Sequence, residues 1–105
     1  TPGINLFFYL TKDGGDSWSS TTPISSPTND FVWSWSDYYN GFVAEEGASV
    51  LYHTSNGGQS WSLTPLSGLQ FSQLDFISAS IGWGISEGTL IQTLDGGKNW
   101  LRVYP

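Results

Sequence analysis

With 105 residues, 38% of them apolar and 16% aromatic, the chain is long enough to bury the core of one small domain, or of part of one. Nine acids against three Lys and Arg give a formal charge of −6, which argues against a phosphate-binding footprint for nucleic acid and against docking on anionic lipid. The absence of cysteine excludes a disulfide framework and a thiolate metal site, and no apolar run approaches the roughly 18 residues of a membrane span.

In chain order, Leu6 to Thr11 and Ser17 to Ile24 read as two strands, with Gly3 at a preceding turn. Residues 1–24 are therefore expected to form the outer half of a sheet unit. Residues 25–66 form a complete unit: strands at Asp30–Trp35, Gly41–Ala44, Val50–Thr54 and from Ser60 to Thr64, with turns at Asp37–Asn40 and Glu45–Ala48. Residues 67–105 repeat that order, with strands at Phe71–Ile77, Gly82–Ser86, Thr89–Thr93 and Asn99–Tyr104, and a tight turn at Glu87-Gly88. About ten strands are expected and almost no helix, since no segment shows a 3.6-residue apolar period. The chain begins at Thr1, contains no Met and shows no signal peptide, so it reads as a processed or excised product. Its low Lys, acidic balance and abundance of Ser, Thr, Gly and Trp fit a secreted or periplasmic bacterial protein.

One pattern occurs three times: Thr11-Lys12-Asp13-Gly14-Gly15-Asp16-Ser17-Trp18, Thr54-Ser55-Asn56-Gly57-Gly58-Gln59-Ser60-Trp61 and Thr93-Leu94-Asp95-Gly96-Gly97-Lys98-Asn99-Trp100. Asp13 to Asn56 is 43 positions and Asn56 to Asp95 is 39. Four short strands at a period of about 40 residues predict the blades of an all-β propeller of four-stranded antiparallel sheets, here about two and a half of them. A blade has two faces, each covered by a neighbouring blade. Two and a half blades leave a face open at both ends, so the chain is expected to associate with remaining blades or with itself.

The motif's chemistry reads as structural. The Asp13, Asn56 and Asp95 side chains can accept hydrogen bonds from backbone N–H groups of their own turn. Gly15, Gly58 and Gly97 can supply a positive φ, and Trp18, Trp61 and Trp100 can pack beneath the turn. Asn56 in the middle copy argues against a catalytic or calcium-binding carboxylate, since the same role is filled there without charge.

The pattern Ser/Thr-x-Asp-x-Gly-x-Ser/Thr-Trp resembles the Asp-box of bacterial neuraminidase-repeat proteins, from which Asn56 and Asn99 depart. Ile81-Gly82-Trp83-Gly84-Ile85 followed by Gly88 to Trp100 resembles a blade of the photosystem II assembly/stability-factor type propellers. That resemblance implies a propeller that binds proteins and carries no enzyme signature. Asp-boxes also occur in xyloglucan-cleaving glycosidases and in sortilin-like receptors.

Strand order puts first-to-second and third-to-fourth turns at one end of each blade, together with the repeated motif. Second-to-third turns and inter-blade links lie at the other. In the resembling families that second end is the ligand face; here it would carry Asp30, Glu45, Glu46 and Glu87, with Ser49 and Gln70. A glycosidase needs two carboxyls about 5–9.5 Å apart across a sugar. Glu45 and Glu46 are adjacent and would point oppositely on a strand, leaving Asp30 with Glu46 or Glu87 as the possible pairs. A sialidase is disfavoured by having Arg102 as its sole arginine, and a Ser-His-Asp triad by having His53 as its sole histidine. No metal or cofactor site is expected.

Aromatics offer the other candidate site. Trp33 and Trp35 align with Leu74 and Phe76 and are expected in the inter-blade core. Tyr38 and Tyr39 align with Ala79 and Ser80, so their bulk is not required by the repeat and they are the best exposed-contact residues. The function expected is a non-catalytic recognition or scaffold module outside the cytoplasm that binds a protein partner. The alternatives are part of a glycoside hydrolase or glycan-binding propeller, and a propeller fragment with no independent activity.

Overall fold

A computed structural model describes residues 4–26, 31–45, 50–66, 69 and 71–103. The described residues form twelve strands and no helix. The first segment holds β1 (Ile4–Leu6), β2 (Tyr9–Leu10), β3 (Ser19–Ser20) and β4 (Ile24–Ser26), with β1 paired to β4 and β2 to β3. These are two long strands, each broken once. At the break the Thr21 hydroxyl stands in for a carbonyl: Phe8 N donates to Thr21 Oγ1 at 2.9 Å, while Thr21 N donates to Phe8 O at 2.9 Å. Pro23 then interrupts the ladder because it has no N–H. The two breaks explain why there are twelve strands rather than about ten.

The second sheet has the order β5 (Phe31–Trp35), β6 (Gly41–Glu45), β7 (Val50–Thr54), β8 (Ser62–Pro65). The third has β9 (Phe71–Phe76), β10 (Gly82–Ser86), β11 (Thr89–Thr93), β12 (Leu101–Arg102). Every pairing is antiparallel between chain neighbours, as in a propeller blade. The β10–β11 connection is a two-residue turn, with Glu87 at φ 49° and Gly88 at φ 79°. Positive φ at both central positions is the I′ geometry that matches strand twist.

Register decides which side chains meet between blades. Phe42 pairs with His53 and Ala44 with Leu51, so these four share one face. On the third blade Gly82 pairs with Phe76 and with Thr93, and Gly84 with Leu74 and with Ile91. The two faces close into a core of Phe42, Ala44, Leu51, Leu66, Phe71, Phe76 and Ile91. The Phe42 and Phe76 rings stack at 3.5 Å, and the Phe42 and His53 rings at 4.4 Å. β5 packs on β9, and Phe76 N donates to Ser34 Oγ across that seam at 2.8 Å.

Exposure tracks how many neighbours a blade has. All five residues of β6 are buried, because its sheet is covered on both faces. β10 alternates: Gly82, Gly84 and Ser86 are buried against the second blade, while Trp83 and Ile85 on the reverse face are half-buried. The open faces expected from the sequence are therefore present. Glu45, expected in a solvated turn, is instead the last residue of β6, paired with Phe31 and buried. The strand runs one residue longer than Ala44 because the β5 partner extends to Phe31. Trp33, expected in the core, is 50% exposed, because the first segment brings only an outer hairpin and leaves the inner part of that face uncovered.

Candidate functional site

The three repeated turns share one hydrogen-bond scheme. In the last, Thr93 Oγ1 donates to Asp95 Oδ1 at 2.8 Å and accepts from Gly97 N at 2.9 Å. Asn99 N donates to the same Asp95 Oδ1 at 2.9 Å. The outer carboxylate oxygen is then closed by a donor: Ser17 Oγ to Asp13 Oδ2 at 2.5 Å in the first turn, Asn99 Nδ2 to Asp95 Oδ2 at 2.7 Å in the last. In the middle turn the polarity reverses, with Asn56 Nδ2 donating to Ser60 Oγ at 2.8 Å. Both Asn departures thus keep the closure. Both glycines of each pair have positive φ, from 71° to 100°.

These bonds stabilise the charged carboxylate. Asp13 is held at about 2, chiefly by the Ser17 hydroxyl and then the Ser17 N–H, and Asp95 at about 2, chiefly by the Asn99 amide and then its N–H. A carboxyl whose folded value lies below its ordinary 3.8 contributes stability above that value and loses it as pH falls toward about 2. Burial, followed by the charge of Lys98, depresses His53, which therefore favours folding above 6.5 and opposes it below. Urea midpoints are expected to fall below pH 6.5 and again between about pH 4 and 2. Replacing Asp13→Asn and Asp95→Asn together should shrink the second fall, to which Asp37, held low chiefly by the Asn40 amide, still contributes, and leave the first. An unchanged acid limb would show that the turns do not bind charge as described.

The turns also brace their own blades, and the middle one reaches the preceding hairpin. Gly57 N donates to Tyr39 O at 3.1 Å, and Gly96 N to Ser80 O at 2.9 Å, so the first-to-second and third-to-fourth turns do share an end. Trp18 and Trp100 close onto their own turns, with Nε1 donating to Gly15 O at 3.2 Å and Gly97 O at 2.9 Å. Trp61 instead donates to Thr22 O of the first hairpin at 2.9 Å, and Gly58 O accepts from Thr22 N at 2.7 Å. Phe8 and Trp35 pack edge-on at 5.3 Å, and Trp35 and Trp61 at 5.9 Å, filling the seam.

Tyr38 belongs to that seam. Its hydroxyl lies 2.9 Å from Ser19 Oγ, and Lys12 Nζ lies 5.4 Å from its ring centroid. Tyr39, 51% exposed, remains an available contact. Asp37 fixes this turn, its Oδ1 accepting from Tyr39 N at 2.8 Å and Asn40 N at 2.9 Å. Glu87 is exposed at the opposite end, beyond five-residue strands that span roughly 16 Å. Asp30, Glu46, Ser49 and Gln70 lie outside the described residues. Tyr38 and Tyr39 are thus not gathered with Glu45 and Glu87 into one site, and Glu45 is not on the surface.

A feature the sequence reading missed is an open cleft of about 570 Å³, lined among others by Phe31, Trp33, Gln73, Asp75, Trp83 and Leu90. Its volume lies in the range of ligand sites. It runs along the inner strands β5 and β9 and onto the uncovered face of β10 and β11. The signal available in the sequence was positional: Trp83 and Ile85 occupy the places of Phe42 and Ala44, and where those are buried these two are half-buried.

No family model matches the chain. It is 30% identical over 99 residues to the chloroplast photosystem II stability/assembly factor HCF136 of Oryza sativa subsp. japonica, covering 86% of this chain and 23% of that protein. It is 29% identical over 99 residues to HCF136 of Arabidopsis thaliana, covering 86% of this chain and 24% of that protein. The chain thus spans about a quarter of the curated relatives it matches. A solved structure of YCF48 bound to D1 peptide superposes with a TM-score of 0.68 at 28% identity, covering 96% of this chain and 35% of that one. Repeated four-stranded sheets, shared turns and these likenesses together make the chain a β-propeller segment homologous to the photosystem II stability/assembly factors HCF136 and YCF48.

Proposed function

We propose that this chain contributes to a non-catalytic propeller that docks a peptide segment of a protein partner, acting outside the cytoplasm. The observation that carries the reading is the structural likeness to YCF48, whose solved form holds a D1 peptide. The cleft on the inner strands is the proposed surface. Trp33 and Trp83 offer partly exposed rings for apolar anchors, and Asp75 adds an acceptor suited to a Lys, Arg or amide on the peptide. Tyr39 and Glu87 are secondary contact candidates at the two ends. The repeated turns act as Asp-boxes in this reading, as scaffold rather than site.

Anisotropy titration of a labelled D1 peptide tests it. Trp83→Ala should weaken binding by about 30-fold, the size expected of a hot-spot aromatic. Asp75→Lys should weaken a basic peptide and spare a neutral one. Absence of peptide binding, or binding indifferent to both changes, would overturn the proposal. Loss only with Tyr39→Ala or Glu87→Gln would move the surface to an end. A glycan array under the same conditions separates the carbohydrate-binding alternative, and fractionation of the native host tests the compartment.

A further inference from the structure

The sequence holds two Asn-Gly links, Asn40–Gly41 and Asn56–Gly57. Such links are chemically weak, because glycine has no side chain to shield its nitrogen from the preceding amide. The glycine nitrogen attacks the Asn Cγ and an N–Cγ bond forms. The Cγ–Nδ2 bond breaks, and its electron pair leaves with ammonia, which carries off the glycine proton. Water then reopens the cyclic imide. Hydroxyl added at Cγ, with the proton returned to the glycine nitrogen, leaves an ordinary aspartate; hydroxyl added at the Asn main-chain carbonyl leaves isoaspartate. The sum is amide plus water to acid plus ammonia, with nothing oxidised or reduced.

In the closed middle turn both reacting groups are held. Gly57 is buried, and its N–H donates to Tyr39 O at 3.1 Å. The Asn56 amide is fixed at both ends. Its Oδ1 accepts from Thr54 Oγ1 at 2.8 Å and from Ser60 N at 3.1 Å, and its Nδ2 donates to Ser60 Oγ at 2.8 Å. Attack requires the amide to swing its carbon onto the Gly57 nitrogen, so these holds must break first. The aspartate product, by contrast, has a ready-made seat. In the first turn Asp13 accepts from Thr11 Oγ1, Ser17 N and Ser17 Oγ, and Thr54 and Ser60 stand at those places in the middle one. Ser60 Oγ needs only to rotate from accepting to donating. Asn40 differs, since its Nδ2 donates to Asp37 Oδ1 at 3.1 Å and to Oδ2 at 3.0 Å. An aspartate there would lose both donations and set a second carboxylate against the first.

We infer that Asn56–Gly57 is a latent deamidation site, sealed while the middle turn is closed, released when it opens, and yielding an aspartate that the turn accepts in place of the amide. Conversion would make all three repeated turns carboxylate-built. Isoaspartate lengthens the main chain by one carbon and would push Gly57 N off Tyr39 O. Neither Asn56 nor Gly57 lines the cleft, and the inference does not rest on the peptide reading.

Peptide mapping of the full chain held in alkaline buffer, with and without urea, tests it. Each of the two holds, on Gly57 N and on the Asn56 amide, biases the turn roughly fivefold toward closure. Native Asn56 should therefore convert at least about 20-fold more slowly than unfolded Asn56. Ser60→Ala removes the Nδ2 partner and should speed native conversion at Asn56 roughly fivefold while leaving Asn40 unchanged. Asn56→Asp should keep the wild-type urea midpoint at neutral pH, whereas Asn40→Asp should shift the folding equilibrium roughly 10-fold toward the unfolded chain. Equal native and unfolded rates, Ser60→Ala acting on both links or on neither, or Asn56→Asp proving as damaging as Asn40→Asp would each overturn the inference.

Discussion

Phe42→Ala is expected to lower the unfolding free energy by about 3–5 kcal/mol, the range for deleting a well-packed buried aromatic. Phe42 is 0% exposed and stands between two parallel rings, Phe76 at 3.5 Å and His53 at 4.4 Å. Neither neighbour can collapse into the void without breaking strand register, since His53 is paired with Phe42 and Phe76 with Gly82. The rest of the seam, with Leu51, Leu66, Phe71 and Ile91, is buried and apolar as well, so the void opens inside a packed core. The measurement is a urea transition, in which the midpoint should fall while the slope holds. His53 should at the same time titrate closer to its ordinary value, since burial is the main cause of its depression. A loss under about 1 kcal/mol would mean that the blade seam repacks freely, against the density expected of a core.

Gly58→Ala should cost about 4–5 kcal/mol and act on one seam only. The residue has φ +82°, where an L side chain costs roughly 1–2 kcal/mol. Its Cβ would also overlap the Thr21 side chain and approach the Thr21 Cα within 3.4 Å. Relief requires the first hairpin to back away, which breaks Thr22 N to Gly58 O at 2.7 Å, Thr22 Oγ1 to Gln59 O at 2.7 Å and Trp61 Nε1 to Thr22 O at 2.9 Å. Each such bond contributes about 1 kcal/mol net. Gly57→Ala is the control, with φ +71° but a nearest contact of 3.4 Å to the Tyr38 ring. Hydrogen exchange should show residues 4–26 losing protection in Gly58→Ala while β9–β11 keep theirs. Equal effects of the two substitutions would show that strain alone matters and that the overlap with Thr21 does not.

The repeated turns made most of the fold legible, because their chemistry is local. Thr-x-Asp-Gly-Gly dictates its own hydrogen bonds, and the fixed interval to the next copy leaves room for only four short strands. The Gly82–Ser86 and Thr89–Thr93 strands were read to the residue, since a two-residue turn between them pins the register. What failed was non-local. Glu45 looked like a loop acid because it begins an acidic pair, yet its strand is extended by pairing with Phe31. Trp33 looked like core by alignment with Leu74, but burial depends on which neighbour arrives, and only an outer hairpin does. The switch of Trp61 from its own turn to Thr22 has no local signature at all. Which of Tyr38 and Tyr39 is a joint and which a free ring depends on the neighbouring hairpin and has no local signal. The cleft lay beyond the pattern for the same reason: its walls come from three different strands and one uncovered face.

The middle turn is the one built on an amide, and it is also the one that grips the preceding hairpin. Protons that discharge Asp13 and Asp95 find nothing to titrate at Asn56. In strong acid, then, the two outer turns are expected to lose their charge-held closure while the amide-built turn keeps its own bonds, so that the three look-alike hairpins part company in how they answer to protons.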